Sequence, residues 1–129
     1  MNYKDENFDI DLDFGEEFEN KIVNIFEGDG SIEVKTEDVK HPTKNWKVTG
    51  NIAIEIRCKG KPSGLSTTGS SVWIHLLSKK GVIKGGFLFK VDELKGKIKK
   101  LHENGKLKMV MGGDDNASQM ALLPIKELF

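Results

Sequence analysis

At 129 residues, with 37% hydrophobic and 31% charged side chains, the chain has the length of one domain, 1–129, and the make-up of a globular one. Its formal net charge is zero, its one cysteine is Cys58, and it holds no apolar run long enough to span a membrane, which excludes a helical membrane protein, an intrachain disulfide and a cysteine-clustered zinc site. The acidic N-terminus lacks a basic-then-apolar leader, and a lone thiol suits a reducing compartment, so a cytoplasmic location without membrane partners is expected.

Residues 1–12 alternate acids with Phe8, Ile10 and Leu12 and read as an arm or short edge strand. From Asp13 the period changes: Phe14, Phe18, Ile22, Ile25 and Phe26 recur at helical spacing, with Asp13 as N-cap, Glu16 as its capping-box partner and a stop by Gly28. Glu19 borders the apolar stripe of this helix. It is either a solvated acid favoured by the helix dipole or a carboxylate within reach of a sheet.

After the turn at Glu27–Gly30, the strand Ser31–Thr36 places Ile32 and Val34 on one face and Glu33 and Lys35 on the other. Thr36–Thr49, with Pro42 and Trp46, reads as an irregular connection. The strand Asn51–Arg57 sends Ile52, Ile54 and Ile56 into a core and leaves Ala53, Glu55 and Arg57 opposite. If the two strands are sheet neighbours, two carboxylates and two cations converge on one patch, which suits a divalent metal and hydrolysis of a phosphodiester. The plainer alternative is a cross-strand ion pair of Glu33 or Glu55 with Lys35 or Arg57.

Gly60–Gly64 is a second turn, followed by a Ser, Thr and Gly stretch to Ser71 and a strand or buried segment Val72–Leu77 in which His75 reads as a packed or rim residue, not a catalyst. Val82–Val91 is a strand broken at Gly85 and Gly86, and Asp92 caps a lysine-rich helix that Gly105 stops near Asn104. Lys106–Met111 and Gln119–Leu123 form a hairpin around Gly112–Ala117, a loop without the alternating acids of an EF-hand. Helices before and after a mixed sheet make the fold class α/β (α+β).

Charge is segregated along the chain. Asp5, Glu6, Asp9, Asp11, Asp13, Glu16, Glu17 and Glu19 face Lys4 alone, whereas Lys79–Lys108 is lysine-rich. A lysine-rich half can present a face to a polyanion even in a neutral chain; a solvated helix surface is the alternative.

At Glu19, Glu33-Val34-Lys35, Thr49-Gly50-Asn51-Ile52-Ala53-Ile54-Glu55 and Gly60-Lys61-Pro62-Ser63-Gly64 the chain resembles the PD-(D/E)XK nuclease superfamily. The order of these pieces over about residues 9–77 is similar to the small phage-encoded branch related to Holliday-junction resolvases and restriction-like endonucleases. The resemblance implies a restriction-endonuclease-like core at 13–77, with a lysine-rich helix and C-terminal hairpin at 78–129. It also implies a Mg2+ (or Mn2+) cofactor and endonuclease hydrolysis of duplex or branched DNA in the host cytoplasm. Carried over, Glu33 is a metal ligand, Lys35 the catalytic lysine, Glu19 the helix acid and Glu55 an acid on the next strand. Two registers stay open. Either Asp29 joins Glu33 and Lys35, or Glu33 is the first acid and Glu55-Ile56-Arg57 the second half. A non-catalytic DNA-binding protein on the same fold is the alternative function.

For DNA contact the expected residues are Lys95, Lys97, Lys99 and Lys100, with Ser63 and Thr67 as neutral donors. Resolvase-like enzymes cut two strands of a symmetric junction, so a homodimer is expected.

Overall fold

The computed structural model describes Asn20 and residues 31–129. The expected N-terminal arm and helix, and with them Glu19 and Asp29, lie outside the described residues. Ile32–Phe129 form one unit, built of β1 (Ile32–Asp38), the one-turn helix α1 (Trp46–Thr49), β2 (Asn51–Cys58), β3 (Lys61–Pro62), β4 (Val72–Lys79), β5 (Val82–Lys90), helix α2 (Val91–Glu103), β6 (Lys108–Gly112) and β7 (Ser118–Pro124). Three short 3-10 turns stand at Gly64–Ser66, Asp114–Asn116 and Ile125–Glu127. The class is mixed α and β, as expected.

The strands do not share one sheet. β1, β4 and β5 make a three-stranded sheet in that order, and β3, β2, β7 and β6 a four-stranded one. β1 runs parallel to β4, with Glu33 opposite Trp73 and Lys35 opposite His75, whereas β2 is antiparallel to β7. The expected pairing of β1 with β2 is therefore replaced by a crossover. A parallel partner needs a long connection, and residues 39–71 supply one that carries β2 itself into the other sheet.

Two tight hairpins follow from two-residue turns with positive φ at both positions. Lys59 and Gly60 (52° and 75°) join β2 to β3, and Lys80 and Gly81 (52° and 75°) join β4 to β5, the twist that antiparallel strands favour. β5 is not broken at its glycines. It runs through them with a bulge opposite Leu77 and Ser78, and Gly86 is required because a Cβ there would lie 2.6 Å from the His75 carbonyl oxygen.

The core gathers Ile52 and Ile54 of β2, Leu123 of β7, Trp73 and Leu77 of β4, Leu65 of the first 3-10 turn, and Val91, Leu94 and Leu101 of α2. Phe87 and Phe89, stacked 5.9 Å apart, close it from β5. The α2 stripe Val91, Leu94, Ile98 and Leu101 follows the helical period. The helix starts at Val91 without a side-chain cap, not at an Asp92 cap. The Val91 N–H instead donates to the Ser71 carbonyl (2.9 Å), so the chain passes straight from β5 into the helix. Asp92 and Glu93 then stand in its first turn, where the dipole favours acids. Gly105, at φ 68°, ends the helix as expected.

The connection after β1 is more ordered than its composition suggests. Asn45 is buried and caps α1: its side chain accepts from the Val48 N–H (3.0 Å) and donates to the His41 carbonyl (2.6 Å). The Trp46 indole N–H donates to the Ser78 carbonyl (3.1 Å), which fastens the turn to β4.

Candidate functional site

On β1 the expected alternation holds, but the covered face is the other one. Ile32 and Val34 are 39% and 53% exposed. Glu33, Lys35 and Glu37 share the face of Trp73, His75 and Leu77, their partners on β4, and that is the face turned toward the core. Glu33 and Lys35 sit half-exposed at its edge, Nζ to Oε1 3.7 Å apart. An exposed pair of this kind contributes under about 1 kcal/mol to stability.

Two residues further along, Glu37 reaches inward. Its Oε1 accepts from His75 Nε2 (2.8 Å) and from the backbone N–H of Ala53 on β2 (2.9 Å). The Trp73 indole N–H donates to His75 Nδ1 (3.3 Å). An indole can only donate, so Nδ1 is the acceptor and the ring proton sits on Nε2, facing the carboxylate. The chain Trp73–His75–Glu37–Ala53 thus ties the three-stranded sheet to β2 of the four-stranded one. His75 is 2% exposed, packed as expected. A strand read only to Thr36 passes over Glu37; β1 runs to Asp38, and the Glu33, Lys35 alternation continued by one step reaches it.

Glu55 lies on β2, in the other sheet, and accepts from the buried Ser118 hydroxyl at 2.5 Å. Gly64 packs against its backbone: at φ 55° it has the conformation glycine favours, and an added Cβ would press on the Glu55 carbonyl. Glu33 and Glu55 are hard oxygen donors of the type magnesium takes, but each is engaged elsewhere and they stand on strands that are not neighbours. Among the described residues no group of three or more His, Cys, Asp or Glu side chains is placed to hold a metal ion. The described residues on their own therefore do not fit a magnesium site, and the convergence expected from paired strands is not formed by sheet pairing.

The lysines of α2 divide. Lys95 and Lys99 line a groove of about 670 Å³ between the helix and the four-stranded sheet, and Lys97 and Lys100 do not. Arg57 and His102 join them at its walls, and Ile56, Leu65, Ile98, Leu107 and Met109 supply its apolar surface. Among the described residues no carboxylate lines it. A bulge in β2 between Glu55 and Arg57 makes this possible, because the extra residue breaks alternation and lets Ile56 and Arg57 face one space. Ser66 and Gln119 add neutral polar groups. Ser63 and Thr67, expected as DNA contacts, flank the Gly64–Ser66 turn without lining the groove; the Ser63 N–H donates to the Ile56 carbonyl (3.0 Å).

A further cationic pair stands on the β4 side. The neighbouring Lys47 ammonium disfavours a second positive charge beside it and so holds Lys79 below the ordinary lysine range. At the end of β1, the Asp38 carboxyl is held below its ordinary value, chiefly by the Ser78 hydroxyl that donates to it (2.7 Å). No described helix is long and apolar enough to cross a membrane.

No family model, no curated protein and no solved structure matches this chain.

Proposed function

We propose that this chain is a DNA-directed phosphodiester hydrolase, with Glu33 and Lys35 as the acid and lysine of its site. The observation that carries the reading is their placement: i and i+2 on β1, 3.7 Å apart and half-exposed, on the face that Glu37 fastens to β2. A lysine ammonium held beside a carboxylate in this way orients an attacking water and offsets the negative charge that grows on the phosphoryl oxygens. Magnesium or manganese accompanies this proposal as its cofactor. Because the described carboxylates do not assemble a metal site, manganese titration of the parent and of Glu33→Ala and Glu55→Ala is the direct check on that part.

A second reading, DNA binding without cleavage, is favoured by the groove, whose cations Arg57, Lys95 and Lys99 meet no acid among the described residues of its walls. Supercoiled, linear and four-way-junction DNA incubated with magnesium or manganese separates the two. Cleavage supports the hydrolase, and retardation on a gel without cleavage of any substrate supports the binder. If Lys35 acts on the attacking water, single-turnover cleavage by Lys35→Ala falls on the order of a hundredfold while DNA binding is kept. A rate within about threefold of the parent removes Lys35 from the chemistry. Cutting both strands of a symmetric junction takes two sites, so a homodimer on DNA belongs to the hydrolytic proposal and is checked by light scattering.

A further inference from the structure

We infer that the groove between α2 and the four-stranded sheet holds an unpaired nucleotide, its base against the apolar surface and its phosphates on the cationic rim. The inference rests on DNA being the ligand and specifies which form of DNA the groove takes.

The walls are of two kinds. Lys95, Ile98, Lys99 and His102 stand at i, i+3, i+4 and i+7 on α2, one face of the helix, so cationic heads and an aliphatic side chain border the same space. Opposite them, the bulged β2 contributes Arg57, which is exposed, and Ile56, which is half-buried. Deeper apolar surface comes from Leu65, which is 2% exposed, and from half-buried Leu107 and Met109.

The backbone of a duplex presents phosphates and sugars to a protein and keeps its bases stacked inside. Such a ligand meets the rim and leaves the apolar surface wet. An unpaired nucleotide presents both chemistries at once, a charged phosphate and a flat, weakly hydrated base face. Burying that face against the partly exposed Ile98, Leu107 and Met109 removes apolar area from water on both sides. Ser66 and Gln119 offer hydrogen bonds to a base edge. The volume, about 670 Å³, lies within the range of clefts that enclose a small ligand, roughly 300–1,000 Å³. Among the described residues the lining holds Arg57, Lys95 and Lys99 and no carboxylate, which fits an anion.

The test is fluorescence anisotropy of the full chain with a labelled oligothymidylate and with a blunt duplex of the same length, thymidine monophosphate serving as competitor. Two variants address the groove: Met109→Gln, which keeps volume and removes apolar character, and Ser66→Glu at an exposed position, which introduces an acid without disturbing the core. The expected result is that each lowers affinity for the single strand by about tenfold and leaves duplex affinity within about twofold, and that the monophosphate competes with the single strand alone. If Ser66→Glu weakens both DNAs equally, or neither, the nucleotide assignment is overturned while the DNA reading stands. If the parent binds neither DNA, the DNA reading falls and the assignment with it.

Discussion

β1 and β2 read alike, each an apolar and charged alternation with a glutamate and a basic residue two places apart, and the protein uses them in opposite ways. Ile52 and Ile54 of β2 are fully buried, whereas Ile32 and Val34 of β1 are largely exposed. On β2 Glu55 stands opposite the buried isoleucines, with Arg57 set apart from it by the bulge, and on β1 Glu33 and Lys35 share the face turned toward the core. Alternation assigns residues to faces; only the neighbours of a strand decide which face is covered. β2 is stitched to β7 across its length, and among the described strands β1 lies at the edge of its sheet beside β4 alone.

The largest effect that separates the two strands is expected from truncation. Ile54→Ala opens a cavity in the core and lowers unfolding free energy by about 3–4 kcal/mol, whereas Val34→Ala costs under about 1 kcal/mol. Chemical denaturation of both variants measures the contrast, and equal losses would mean that the apolar face of β1 is buried after all. Next comes the link between the strands. Glu37→Ala leaves His75 Nε2 and the Ala53 N–H without their acceptor, for an expected loss of about 2–3 kcal/mol. Tryptophan fluorescence should report it as well, because the Trp73 indole bonds to the same imidazole.

The smallest effect lies at the end of β1. The folded state holds the Asp38 carboxyl below its ordinary value of 3.8, so its contribution is fully present above that value and fades as pH falls through the folded one. Asp38→Asn should therefore flatten the acid limb of stability below pH 3.8 and change little at neutral pH. An unaltered acid limb would detach Asp38 from the anchoring of β1.

Much of this architecture is legible in the residues because local chemistry dictates it. Lys-Gly turns, the isoleucines of β2 and the 3.6-residue stripe of α2 are short-range signals. The parallel partner of β1 is not, since Trp73 stands forty places from Glu33 and nothing local to either announces the other. The bulge at Ile56 is equally silent, and it undoes the expectation that Ile56 faces the core and Arg57 away. For the lysines the signal was present: Lys95 and Lys99 bracket Ile98 on one face, and counting from the buried Leu94 and Leu101 would have parted them from Lys97 and Lys100. Glu33 and Lys35 were expected side by side and are so placed. Their meeting with Glu55 depended on a sheet pairing that long-range topology, not alternation, determines.

The parallel pairing of β1 with β4 also sets an order of assembly. The β4–β5 and β6–β7 hairpins close over short spans and need only local search, whereas β1 can dock only after the crossover has been laid down and β4 stands ready to receive it. A strand that joins last and at an edge is also the one whose release leaves the remaining core intact. The Glu33 and Lys35 pair rides on this edge strand, and backbone amides of β1 should exchange with solvent deuterium before those of β2 and β7.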